Sequence, residues 1–284
     1  MKKTVISPNS IKDPGYRCTA LVVEELKKYG AEIYMSEEHR SSGITEGVTY
    51  LGADLTDGAD VIIVLGGDGS ILDAARTAYS RGIPVLGINL GRVGYMASLE
   101  PDELSLLGKL FDGGYSVDRR MMLEARIVRE NGDGEITPPA LNEIVISRGA
   151  TSRMIDILLE CNSELVGEYR ADGLIFATPT GSTAYSMTAG GSVIDPVLDA
   201  VAVTPVCPHF LSTRPIVFSG GAEFTASSAG VGEWYLTVDG KESYNLGEGD
   251  RVVITRSGYT TKLIDLKKNA FYQVMRKRTS ETQK

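Results

Sequence analysis

The 284-residue chain holds only three cysteines, two histidines and one tryptophan. Cys18, Cys161 and Cys207 are odd in number and far apart, which excludes a disulfide framework or a CxxC metal site and leaves reduced, structural thiols. His39 and His209 are too few, and not spaced as ligands, for a histidine-rich zinc centre. Chemistry in this chain must therefore rest on carboxylates. No apolar run approaches the roughly 18 residues of a membrane span, and the opening MKKTVISPNS lacks the apolar stretch and small-residue cleavage site of a secretory signal. No membrane contact and a cytoplasmic location are expected. Basic residues are also in deficit, 29 Lys and Arg against 37 Asp and Glu for a net charge of −8. A nucleic-acid binder needs clustered cations, so no nucleic-acid partner is expected. The short runs Arg119-Arg120 and Arg276-Lys277-Arg278 read as solvated surface.

What remains is a hydrophobic content of 42%, enough for two cores at this length. Residues 1–112 alternate short apolar runs with helical stretches, the pattern of a parallel α/β sheet. Thr4 to Ser7, Ala31 to Met35, Val61 to Leu65 and the run from Ile83 read as strands, with a helix over Tyr16 to Tyr29 stopped by Gly30. A last helix is expected from Pro101, a residue suited to the first helical position. From 113 to 265 the texture becomes β-rich, with runs such as 143-EIVISRG-149, 173-GLIFATP-179 and 251-RVVITRS-257 separated by turn formers. Residues 266–284 form a terminal segment expected to pack back on the first domain, with a disordered tail from Thr279.

Three segments stand out as sites. In 61-VIIVLGGDGSILDAAR-76 a buried strand runs into Gly66, Gly67 and Gly69, which let the backbone approach a ligand, and then into a helix with apolar residues at helical spacing for which Ser70 can act as cap. The carboxyl end of a parallel strand is where such sheets bind ligands, and the helix N-terminus favours phosphate. A tight turn with Asp68 merely exposed is the alternative. The loop is not a Walker motif, since no GK[ST] follows, and not GxGxxG, since Leu72 stands at the third glycine. In 172-DGLIFATPTGSTAYSMTAGGSVIDP-196 a strand meets a dense series of Thr, Ser and Gly that offers hydroxyls and amides to a flat ring or a ribose. A turn region with helix caps would share that composition. Asn142-Glu143 supplies an amide beside a carboxylate, suited to two neighbouring ribose hydroxyls or to an ordinary polar strand end.

Taken in order, GGDG at 66–69, 87-GINLGRVGY-95, 141-LNEIVISRG-149, TPTGSTAY within 172–196, 205-PVCPHFLSTRPIVFS-219 and 238-VDG-240 resemble the bacterial NAD kinases, ATP- or polyphosphate-dependent, over nearly the whole chain. GGDG alone is shared with lipid kinases and phosphofructokinases; the combination is specific. The resemblance implies a two-domain fold, a Rossmann-like α/β N-terminal domain followed by a β-rich C-terminal domain. It implies Mg²⁺-dependent phosphoryl transfer from ATP or polyphosphate to the 2′-hydroxyl of the adenosine ribose of NAD, with NAD bound between domains of a homodimer or homotetramer. By the same resemblance Asp68 is the catalytic aspartate. Gly66, Gly67 and Gly69 shape the loop that receives the donor's phosphates, with Ser70 among the cofactor-binding residues, and Asn142 and Glu143 hold the ribose. Thr180, Ser182, Thr183, Ala184, Tyr185 and Ser186 lie in the adenine-recognising segment, with Tyr185 packing on the ring. Asp172, with Arg170 nearby, reaches the nicotinamide side from a neighbouring subunit. Tyr95 stands where many members carry phenylalanine, and Ser70 where many carry threonine. No compact carboxylate cluster marks a metal cage, so Mg²⁺ is expected to arrive with ATP. The competing readings are a GGDG-type kinase of a lipid or sugar hydroxyl, which needs an apolar groove or extra cations, and a non-catalytic NAD(P)-binding regulator, which has no need of Asp68.

Overall fold

The computed structural model describes residues 2–44, 46–53, 55–91, 94–149, 153–230, 233–268 and 270–281. Arg92 and Val93 of the quoted 87–95 segment, and the tail beyond 281, lie outside the described residues. The chain divides into two compact units, one formed by the residues up to Arg119 together with those from Thr261 onward, the other by Arg120–Thr260.

In the first unit, β1 (Lys3–Pro8), α1 (Arg17–Lys27), β2 (Glu32–Ser36), β3 (Val48–Leu51), β4 (Val61–Gly66), α2 (Asp68–Ala78), β5 (Val85–Asn89) and α3 (Lys109–Asp112) follow in sequence. The strands are parallel in the order β3-β2-β1-β4-β5. β4 and β5 are largely Val, Ile and Leu, as befits central parallel strands covered by helices, and Val61 to Leu65 are all within 2% of full burial. α1 begins at Arg17 rather than Tyr16, whose φ of 52° is left-handed and cannot continue a helix backwards. The helix expected from Pro101 starts there but as a 3₁₀ helix to Gly108, tightened where the Glu103 carboxylate returns to the Glu100 N–H at 2.8 Å, and only Lys109–Asp112 is α-helical.

In the second unit come β6 (Ser116–Val128, entering from the first), β7 (Gly134–Ile136), β8 (Glu143–Arg148), β9 (Ile155–Cys161), β10 (Glu164–Ala171), β11 (Gly173–Ala177), α4 (Tyr185–Thr188) and β12 (Ala200–Val206). They are followed by β13 (Ile216–Ser219), β14 (Phe224–Ser228), β15 (Trp234–Val238), β16 (Glu242–Leu246) and β17 (Arg251–Asp265), which leads back into the first unit. One antiparallel sheet runs β13-β12-β11-β8-β15-β16; β10, β9, β14 and β17 pair in another. Both sheets feed one core that includes Phe176, Phe224 and Trp234. Within the first unit, Leu263 of β17 pairs with Val85 of β5, and α5 (Ala270–Glu281) follows. α5 thus runs beyond Thr279, where a disordered tail was expected. Among the described residues no helix is long and apolar enough to cross a membrane.

Candidate active site

In the first unit, β4 delivers Gly66 and Gly67 to the sheet edge and α2 begins at once with Asp68. Ile71, Leu72, Ala75 and Ala78 are buried, which anchors the helix and fixes its N-terminus. The Asp68 carboxylate accepts one backbone N–H on each oxygen, from Tyr95 at 2.8 Å and from Met96 at 3.1 Å. A β-carbon on Gly94 would overlap that carboxylate, so this approach requires glycine at 94. Ser70 does not cap α2. The helix starts two residues earlier, with Gly67 at the cap position and no side-chain cap, and the Ser70 Oγ instead accepts the Asn9 Nδ2 donor at 3.0 Å.

One charged group here was not legible from the motif. Asn9 donates its N–H to the Leu65 carbonyl at 2.8 Å, and its Oδ1 accepts the N–H groups of Ile11 and Lys12, each at 3.1 Å. This turn brings the Lys12 ammonium over Gly67, where it would overlap an added β-carbon. Lys12 has no ion-pair partner among the described residues. An ammonium and a helix N-terminus therefore face the same glycine loop, an arrangement that attracts anions. The signal was topological: Pro8 pairs with Leu65 in a parallel register, so the loops after β1 and β4 open on the same sheet edge.

In the second unit, residues 141–143 are held from two sides. Asp239, in the left-handed region at φ 49°, accepts the N–H groups of Asn142 and Glu143 on Oδ1 at 2.8 and 3.0 Å and that of Leu141 on Oδ2 at 2.9 Å. Opposite, Thr178 donates its hydroxyl to the Leu141 carbonyl at 2.6 Å and its N–H to the Asn142 carbonyl at 2.9 Å. Gly181 lies so close that a β-carbon would overlap the Asn142 backbone. The Asn142 side-chain amide has no partner among the described residues. Glu143 is 7% exposed, accepts the Tyr185 N–H, and leaves Oε2 buried without a partner among the described residues. Burial first and the Asp239 charge second push its carboxyl up to about 8, against the opposing pull of the Tyr185 N–H.

That shift gives a pH dependence with a definite sign. Between the ordinary carboxylate value and about 8 the folded protein holds a proton on Glu143 that the unfolded chain has released, so Glu143 makes stability fall as pH rises through this window. Glu143→Gln removes the titration. Comparing the melting of wild type and this variant from pH 5 to 9, we expect the variant to gain on wild type as pH rises, by on the order of a few kcal/mol at the alkaline end; parallel curves would contradict the buried carboxyl.

The hydroxyl-rich run uses many of its hydroxyls on its own shape. Ser182 and Ser186 are fully buried. Ser182 donates to the Pro179 carbonyl at 2.6 Å and accepts the Ile194 N–H at 2.9 Å, while Ser186 pairs with Thr204 at 2.9 Å. Thr183 donates to the Thr180 carbonyl at 3.0 Å, and the Thr180 hydroxyl accepts the buried Arg120 guanidinium at 3.2 Å. The aromatic side chain that this stretch presents outward is the Tyr185 ring, 42% exposed, with Thr188 and Ser192 also exposed further on. It borders an open cavity of about 320 Å³ shared with Val145, Ser147, Arg148, Asp172 and Val206, large enough for a nucleotide fragment. Asp172 is held there by Arg148, whose Nε donates at 2.7 Å. Arg170 is not its partner; its guanidinium lies 3.9 Å from Asp156 on the neighbouring strand β9. Arg148 escaped sequence reasoning because it reaches Asp172 only through the β8–β11 pairing, where Ser147 lies opposite Gly173.

Residues 16–115 match the ATP-NAD kinase N-terminal domain and residues 141–266 the ATP-NAD kinase C-terminal domain. An NAD kinase of Thermoanaerobacter sp. (strain X514) is 38% identical over 283 residues, spanning 99% of this chain and 100% of the relative. The crystal structure of yeast NADH kinase complexed with NADH is similar with a TM-score of 0.88 at 22% identity, over 97% of this chain and 86% of that one. An Archaeoglobus fulgidus NAD kinase in complex with ATP is similar with a TM-score of 0.75 at 25% identity, over 97% of each chain.

Proposed function

Because the chain belongs to the ATP-NAD kinase family, we propose that it transfers the γ-phosphate of ATP to the 2′-hydroxyl of the adenosine ribose of NAD, forming NADP. The observation that carries this reading is Asp68, a carboxylate held by two backbone donors at the mouth of a glycine loop, where an acceptor hydroxyl and a phosphate chain can meet. Asp68 receives or orients the hydroxyl proton. Gly66, Gly67, Gly69 and Ser70, with the Lys12 ammonium above them, receive the donor's phosphates. Asn142 and Glu143 take the ribose diol; this is supported by the Glu143 Oε2, buried without a partner among the described residues, and by the Asn142 amide beside it, which no described residue engages. Tyr185 packs on adenine, and the Arg148–Asp172 pair meets the nicotinamide half. Lipid or sugar acceptors and the non-catalytic regulator find no support in the relatives, which are named NAD kinases.

The divalent cation we propose is Mg²⁺. Among the described residues no group of three or more His, Cys, Asp or Glu could hold a metal ion. The fit is therefore to a cation carried by the donor's phosphates, and Asp68 is the residue that would reach it, because each oxygen keeps a lone pair beside its single N–H donor. Such an ion neutralises charge on the transferring group. We further propose a homodimer or homotetramer, supported by exposed apolar residues in the second unit such as Leu211 at 90% and Val197 at 78%; a monomer by light scattering would refute it.

The testing experiment measures NADP formed from NAD and Mg²⁺ with either ATP or polyphosphate as donor. NADP from ATP supports the reading, and none from either donor ends it. In the same assay Lys12→Met is expected to raise the donor's KM about tenfold, on the order of one charge-assisted contact, with the KM for NAD unchanged. Equal donor KM values would remove Lys12 from the phosphate site.

A further inference from the structure

We propose that the C-terminal segment, through Phe271 of α5, is a positioning element for Asp68; the inference rests on the reading of Asp68 as the group that addresses the acceptor hydroxyl. Among the described residues, the two donors on that carboxylate belong to neighbours in sequence, Tyr95 and Met96. The carboxylate therefore points where residues 94–98 let it point.

Those residues have little regular structure of their own, and the C-terminal segment braces them at several points. The Leu266 N–H donates to the Ser98 Oγ at 3.0 Å. The Tyr95 ring meets the Phe271 ring at a centroid distance of 6.3 Å and an interplanar angle of 41°. Gln273, Val274 and Lys277 of α5 line a small cavity together with Gly94, Ser98 and the buried Asn89, whose Oδ1 has no partner among the described residues. The segment is itself latched to the rest of the first unit. Lys267 pairs with Glu103 at 2.7 Å, Lys277 with Glu100 at 3.6 Å, and Lys109 Nζ donates to the Leu266 carbonyl at 2.7 Å. Glu100 in turn accepts the Asn89 Nδ2 at 3.1 Å.

Phe271 thus touches the residue whose N–H holds the carboxylate. Loss of the ring lets Tyr95 shift, its N–H shifts with it, and the carboxylate leaves its aligned rotamer. Misplacement of a reacting group by about 1 Å costs up to about 10²-fold in rate, so Phe271→Ala is expected to lower kcat about tenfold, whereas Phe271→Leu, which keeps an apolar contact, retains most of it.

The decisive test is a double-mutant cycle on kcat in the ATP-dependent assay, run with wild type, Phe271→Ala, Asp68→Asn and the pair, with melting curves to establish folding. If Phe271 acts through Asp68, its effect vanishes in the Asp68→Asn background and the double variant turns over within about twofold of Asp68→Asn alone. Losses that multiply, or a Phe271→Ala variant with wild-type kcat, overturn the inference and leave the Asp68 reading standing. Wild-type turnover in Asp68→Asn overturns the Asp68 reading and this inference with it. If Phe271→Ala fails to fold, Phe271→Val, which keeps a branched apolar stub but loses the ring that reaches Tyr95, takes its place in the cycle, and the same multiplicative outcome overturns the inference.

Discussion

Asp68→Asn lowers turnover by roughly 10² to 10⁴, the range over which a positioned general base acts, while NAD still binds. The substitution is nearly isosteric, so the glycine loop is not obstructed. It nevertheless removes two things at once. The amide has no basic oxygen to take the hydroxyl proton, and its NH₂ must face one of the two N–H donors that the carboxylate satisfied at 2.8 and 3.1 Å. That donor-to-donor contact costs about 1–3 kcal/mol locally and turns the side chain away from the alignment that transfer needs. Steady-state kinetics paired with direct NAD binding separates the effects: a fall in kcat with binding preserved is expected, and near-normal kcat would remove Asp68 from the mechanism.

The second large effect is on stability. Asp239→Ala deprives three backbone N–H groups, those of Leu141, Asn142 and Glu143, of their acceptor. Buried donors left unsatisfied cost about 1–3 kcal/mol each, so a loss of about 3 kcal/mol or more is expected, read as a lower midpoint in urea unfolding. Part is offset because Glu143 loses a like charge, which lets its carboxyl fall back toward the ordinary range. NAD affinity should weaken in parallel, since the same three donors fix where Asn142 and Glu143 sit. A midpoint within experimental error of wild type would show that Asp239 does not organise this strand end.

Where the chain announces its structure, it does so through local repetition. Val61 to Leu65 is rich in β-branched residues and buried because it is a central parallel strand, and Ile71, Leu72, Ala75 and Ala78 are spaced for the helix that covers it. The glycine loop was legible because strand, bare turn and helix are contiguous in sequence. Ser70 misled as a cap because the helix nucleates on Asp68 itself. Groups that work across long separations left no local trace. Lys12 reaches Gly67 through a parallel strand pair, Arg148 reaches Asp172 through sheet register, and Phe271 reaches Tyr95 only once the chain has returned from the second unit. Short strands such as Val48–Leu51 and Gly134–Ile136 were likewise illegible, being too brief to show alternation.

Gly181 and Gly69 look alike as letters in two loops, yet they would behave oppositely in a randomised library. Any side chain at 181 overlaps the Asn142 backbone, so selection for folded protein alone would deplete every substitution there. At 69 an added β-carbon meets nothing within 4 Å, and alanine in that first helical turn favours the helix by up to about 1 kcal/mol. A folding screen would therefore pass Gly69→Ala, and only a screen for NADP synthesis would reject it. The contrast between two such screens, codon by codon, would separate the glycines that shape the protein from those that leave room for what it binds.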